Sequence, residues 1–357
     1  MNRSIKLREY FPMIKTKDEL LEEIQGTVKL RDIYDSWTDD EQKRFVDICT
    51  GAKGVKITYD PYFKEIFNPE YDSTRLNNLL SCILGRSVKV IAVLPNDGTR
   101  LSDENTLLIT DIVVELEDGS LANVEIQKIG YLFPCQRAAC YSADLLLRQY
   151  KRVRDKRKKK FKYNDIKNVY TIIIFEKSPS IFYNSSMDYI HYAEAQTDTG
   201  ITLDLLQKYV FINLDIFLKS QHNKPISNDT EAWLTFLSSD DTDDIIRLIE
   251  EHPEFKPLYQ DIYEMCQNVE DIMSLFSKEL QILDANTVQF MVDEMQKEID
   301  KQKDELDKQK NELDKQKNEL DKQKNELDKQ KNELNAKDLQ IEELQVRISE
   351  LEKSSTS

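Results

Sequence analysis

The residues of this 357-residue chain best suited to chemistry fall in one predicted hairpin. Residues 107–116 (LLITDIVVEL) and 120–128 (SLANVEIQK) flank the turn EDG and read as two strands. A two-residue turn at Asp118-Gly119 pairs Glu117 with Ser120 and sets Asp111 opposite Ile126. A three-residue loop, with Gly119 in the left-handed conformation, pairs Leu116 with Ser120 instead. The second register is favoured: Ile112, Val114 and Leu116 then share a face with Ala122, Val124 and Ile126, and register follows the buried pattern. In that register Asp111 faces Glu125, and Gln127 projects on the same side. Two carboxylates about 5 Å apart on an apolar hairpin repel each other and lose hydration. A divalent cation removes both costs. Mg²⁺ favours one or two carboxylates, with waters and phosphate oxygens completing its shell.

Other metal chemistries are poorly supplied. The five cysteines (Cys49, Cys82, Cys135, Cys140 and Cys266) include no C-x-x-C pair, and there are only three histidines (His191, His222 and His252). Neither a disulfide framework nor a zinc site is expected. Any metal ligands should be carboxylates.

The elements around the hairpin must hold it. Residues 60–84 (DPYFKEIFNPEYDSTRLNNLLSCIL) read as a helix broken near Asn68-Pro69. The β-branched run 88–94 (VKVIAVL) reads as a strand. Residues 134–150 have helical periodicity, and 169–175 (VYTIIIF) form a fully apolar strand. Helix, strand, hairpin, helix, strand is an α/β core around a mixed sheet. Trp37, Trp233 and the Phe and Tyr residues at helical spacing read as core rather than as base-stacking surfaces.

Asp111 followed by Glu125-Ile126-Gln127, between two helices, resembles the PD-(D/E)XK nuclease core. The nearer likeness is to the PD-(D/E)XK family transposases, the recombination-promoting nucleases of bacteria, where E-x-Q often replaces E-x-K. DPYFKEIF, TDIVVELEDGSLANVEIQ, CQRAACYSADLLLRQYKRV and VYTIIIFEKS carry it over about residues 55–185, and more loosely to about 290. The resemblance implies a restriction-endonuclease-like mixed sheet flanked by helices. It implies a metal-dependent DNA endonuclease, using Mg²⁺ or Mn²⁺ and linked to recombination or transposition. Carried onto this sequence, it makes Asp111 and Glu125 metal ligands, with the Ile126 carbonyl as a third. Gln127 then occupies the position of the catalytic lysine but brings no charge. Lys64 is the candidate relocated lysine, and Glu65 the candidate helix-borne extra acid. Lys128 points to the opposite face of its strand. Arg137 and Tyr141, one helical turn apart, either hold a phosphate near the metal or serve helix packing. Without the lysine, the alternative is a degenerate nuclease fold that binds DNA or a protein without cutting.

Charge is distributed unevenly. Residues 1–219 are neutral overall, 220–299 carry −13 and 300–357 carry −3. Within the neutral part, residues 148–162 hold ten Lys or Arg and one Asp. Arg148, Lys151, Arg152, Arg154 and Lys158, together with Arg137, are the candidate contacts to a DNA backbone. From Asp307 the heptad DKQKNEL repeats nearly unchanged to Leu334. With Leu306, Leu313, Leu320, Leu327 and Leu334 at a, Gln falls at d, Glu at g and Lys at e. That pattern favours a parallel coiled coil and a homo-oligomer, weak in its middle. The expected organisation is an N-terminal helical extension (1–54), a nuclease-like core (55–219) and an acidic helical segment (220–290). A coiled coil (291–352) and a disordered tail (353–357) complete it. No apolar run approaches membrane-spanning length and no secretion signal is visible, so the chain reads as cytoplasmic, without a small-molecule cofactor.

Overall fold

The computed structural model describes residues 3–94, 112–128, 134–183, 188–221 and 224–355. Four helices open the chain: α1 (Arg3–Tyr10), α2 (Lys17–Gly26), α3 (Val28–Asp35) and α4 (Asp39–Cys49). Capping boxes start α2 and α4, in which Thr16 and Thr38 exchange hydrogen bonds with Glu19 and Glu41. Next come α5 (Asp60–Ile66) and α6 (Pro69–Leu84). The break expected near Asn68-Pro69 separates them, because Asn68 caps α6 and Pro69 opens it.

The sheet-forming stretch contains β1 (Val90–Val93), β2 (Ile112–Leu116), β3 (Leu121–Gln127), α7 (Pro134–Arg157), β4 (Val169–Phe175), α8 (Ser180–Tyr183), β5 (Ile190–Ala193) and β6 (Gln207–Asn213). Its six strands form one mixed sheet in the order β1-β2-β3-β4-β6-β5. β1, β2 and β3 are antiparallel, β3, β4 and β6 are parallel, and β5 closes the far edge antiparallel. The helices α9 (Leu214–Gln221), α10 (Asp229–Ser238), α11 (Thr242–Glu251), α12 (Lys256–Met265) and α13 (Val269–Ser355) follow.

The hairpin has the register read from the buried pattern. Ile112 pairs with Val124 and Val114 with Ala122, and the Leu116 amide donates to the Ser120 carbonyl at 2.9 Å. Gly119 has φ +84° and donates to the Leu116 carbonyl, so the three-residue loop is the one formed. One face of the sheet (Ile112, Val114, Val124, Ile172, Ile174 and Ile212) joins the main core, which draws on helices from α1 through the start of α13. The other face packs on α7: Val113, Leu121 and Val169 meet Leu145, while Ile173 and Phe175 meet Ala138.

The chain divides into two units, Met1–Phe290 and Met291–Ser357. In the second, the a-position leucines Leu306, Leu313, Leu320, Leu327 and Leu334 are each more than 60% exposed along α13. Among the described residues no helix is long and apolar enough to cross a membrane.

Candidate active site

β3 carries the site. Alternation along it puts Asn123, Glu125 and Gln127 on the side facing α7, and all three are buried. Asp111 lies outside the described residues; the described pairing of β2 begins at Ile112, opposite Val124. Ile126 turns the other way and packs against the main core.

Glu125 is only 5% exposed, and burying a carboxylate is costly unless it is paired. α7 supplies the partners. Arg137 brings Nη2 to 3.6 Å from the Glu125 carboxylate and donates to the Tyr141 hydroxyl at 2.7 Å. The guanidinium also lies 5.6 Å from the centre of the Tyr141 ring. The Tyr141 hydroxyl is in turn hydrogen-bonded to Glu125, and burial together with that carboxylate pushes the phenol well above its ordinary range. Tyr141 therefore stays a proton donor toward Glu125. Arg137 and Tyr141, one turn apart on a helix antiparallel to β3, are brought to the carboxylate that the hairpin presents.

Gln127 ends β3. Its carbonyl accepts from the Glu176 amide at 2.9 Å, but neither atom of its buried side-chain amide has a hydrogen-bond partner among the described residues. Asn213 ends β6 and occupies the same row, since Gln127 pairs with Phe175 and Phe175 with Asn213. Its amide is fully buried and also has no partner among the described residues. The same holds for Asn123 and for the hydroxyl of Thr171, the residue paired with it. A buried polar group left unpaired costs about 1–3 kcal/mol. Orphaned amides at the carboxyl ends of two parallel strands, beside a buried carboxylate, fit a hydrated hard cation better than an empty core. Sequence reasoning missed Asn123, Thr171 and Asn213, which only the pairing of β3, β4 and β6 aligns into rows.

The remaining candidates are dispersed. Lys128 lies on the opposite face, as expected, where it pairs with the fully buried Glu279 of α13 and sits 4.6 Å from the Tyr59 ring centre. Lys64, on α5, is half-buried. Glu65 is exposed and lines a groove of about 710 Å³ with Arg75, Asp261, Glu264 and Asn268. The basic run does not adjoin the site. α7 extends past Tyr150 to Arg157, so the exposed Lys151, Arg154 and Lys158 lie at or just beyond its far end. At 1.5 Å per residue, Lys158 is roughly 30 Å along the helix from Arg137. Arg148 and Arg152 turn inward instead, to Asp144 at 2.7 Å and to Glu115. Asp229, His252 and Glu254 also lie close together, but Asp229 and Glu254 are exposed, and among the described residues no orphaned group accompanies them.

A family model described as PD-(D/E)XK nuclease family transposase matches residues 57–289, well over half of the chain. No curated protein and no solved structure gives a match.

Proposed function

Because the chain belongs to the PD-(D/E)XK nuclease family transposases, we propose that it is a metal-dependent DNA endonuclease acting in recombination or transposition. The observation that carries this reading is the buried Glu125 beside the orphaned Gln127 amide at the end of β3. Continuing the β2–β3 register by one residue would set Asp111 opposite Glu125. Those two carboxylates and the Ile126 carbonyl would hold one Mg²⁺ or Mn²⁺. When bound, such an ion lowers the pKa of a water and stabilises charge on the scissile phosphate.

The chain's own groups do the rest. Gln127 orients the attacking water through its amide. Arg137 pairs with Glu125 and offers the phosphate a guanidinium donor. Lys64, half-buried on α5, would supply the positive charge that Gln127 lacks. Exposed Lys151, Arg154 and Lys158 hold the DNA backbone at a distance from the cut. A parallel second copy covers the leucine stripe of α13, with Glu at g facing Lys at e. Two single-strand sites so joined could cut both strands of a duplex in the bacterial cytoplasm.

Gln127 in the lysine position favours a second reading, a catalytically degenerate nuclease fold that binds DNA or a protein without cleaving it. Incubating the full chain with supercoiled plasmid separates the two. The endonuclease nicks the plasmid with Mg²⁺ or Mn²⁺ and stops in EDTA; binding without nicking under every condition establishes the degenerate form.

A further inference from the structure

The far end of α7 carries more than charge. Tyr150, Phe161 and Tyr163 form an aromatic cluster there, with ring centres 5.4–6.5 Å apart. Phe161 and Tyr163 belong to the turn that follows α7, which the 3₁₀ segments Lys158–Lys160 and Tyr163–Asp165 shape. Tyr163 is 74% exposed even though its ring lies parallel to that of Tyr150. A tyrosine recruited only for packing would bury its ring; this one offers a face to solvent. Cations surround it: Arg154 lies 5.8 Å from the Tyr150 ring centre and donates to its hydroxyl, while Lys158, Lys159, Lys160 and Lys162 are exposed on the same turn.

The backbone adds an independent observation. Lys158 has φ +49°, a left-handed conformation that favours glycine at the end of a helix. A non-glycine residue holds that conformation at a cost of about 1–2 kcal/mol. Beside the cluster, Tyr163 also walls a groove of about 560 Å³ together with Asn164, Lys167, Asn168 and Asp118. Of the groove's two carboxylates, Asp118 is paired with Arg86 at 3.0 Å and Asp204 with Lys208 at 3.5 Å; amides and Lys167 line the rest beside the exposed ring.

We propose that this tip is a binding site for unpaired DNA bases, which stack on Tyr163 while the lysines hold the strand's phosphates. Stacking on an aromatic face accepts any base, and a neighbouring basic surface follows the backbone. The inference rests on the nuclease reading for its substrate and sharpens it. The preferred DNA is a duplex with an unpaired segment roughly 30 Å, or about nine base pairs of B-form, from the cleavage centre.

Fluorescence anisotropy of the full chain in EDTA tests it without relying on catalysis. The probes are a blunt duplex of about 20 base pairs and the same duplex with an unpaired tail of about five nucleotides on either strand. The tailed duplex is expected to bind about tenfold more tightly, the scale of one base–aromatic stack. Tyr163→Ala removes that advantage and Tyr163→Phe keeps it. Lys158→Gly lowers affinity for both duplexes and reduces the salt slope by about one, while raising Tm by a few degrees. Equal binding of blunt and tailed duplexes, or an advantage that survives Tyr163→Ala, overturns the proposal. Preference for the tail without nicking in Mn²⁺ overturns the nuclease reading and leaves this one standing; nicking without preference does the reverse.

Discussion

At the residue scale, the site consists of a buried carboxylate with its partners on the next helix. Glu125 tolerates burial because Arg137 and Tyr141 reach it from α7. The lysine that would complete the motif is absent at Gln127, and Lys128 is committed to Glu279 on the other face. If Lys64 supplies the missing charge, Lys64→Ala should lower turnover by about two to three orders of magnitude, the loss expected for one transition-state donor. Gln127→Lys should then be tolerated or restore part of the activity. Single-turnover nicking rates of the two variants check this, and an unchanged Lys64→Ala rate leaves the metal alone to neutralise the phosphate. The shared face of Arg137 and Tyr141 was legible in advance from their spacing, but their pairing with Glu125 was not, since that spacing left phosphate binding and helix packing both open. Asn123, Thr171 and Asn213 were not legible. Thr171 is a single polar residue in an apolar strand, and Asn123 and Asn213 join it and Gln127 in rows only through the pairing of β3, β4 and β6.

At the element scale, the β2–β3 hairpin fixes everything presented to α7. Its register was legible because only the three-residue loop puts the apolar residues on one face, and Gly119 supplies the positive φ that loop needs. Gly119→Ala should destabilise the chain by about 1–2 kcal/mol, the cost of a left-handed non-glycine residue. Its side chain has room, with Lys167 at 3.5 Å, so the strain is in the backbone. Denaturant unfolding measures it, and an unchanged midpoint would place the hairpin's control elsewhere. Two features escaped the sequence. α7 runs beyond Tyr150 because Lys and Arg are good helix formers, although a run of them also suits a solvated loop. β5 is four residues long and largely exposed, so no alternating pattern marks it, and its place beside β6 depends on long-range pairing.

At the scale of the whole molecule, burial gives the first unit a pH limit. Desolvation holds the phenols of Tyr62, Tyr259 and Tyr263 above their ordinary range. The unfolded chain releases those protons from about pH 10 while the folded chain retains them, so the contribution of these phenols to stability is level below that pH and falls above it. Tyrosinate absorbance should therefore grow in step with loss of the helical circular dichroism signal. Ionisation of all 16 tyrosines before any helix is lost would contradict the buried positions. The second unit makes its own prediction. Its central heptads offer leucine only at a, so association between copies should be weak and salt-sensitive, and light scattering should show a dimer that deletion beyond Ile299 abolishes. Monomers of both forms at tens of micromolar (~10⁻⁵ M, a range in which weak assemblies are still detected) would make the tail a solvated single helix. The central claim, that Asp111 and Glu125 form a metal-dependent cleavage centre, is tested most directly by plasmid nicking in Mn²⁺ with wild type, Asp111→Asn and Glu125→Gln side by side. The account predicts nicking by the wild type and none by either variant, with all three equally folded; full nicking by either variant would contradict it.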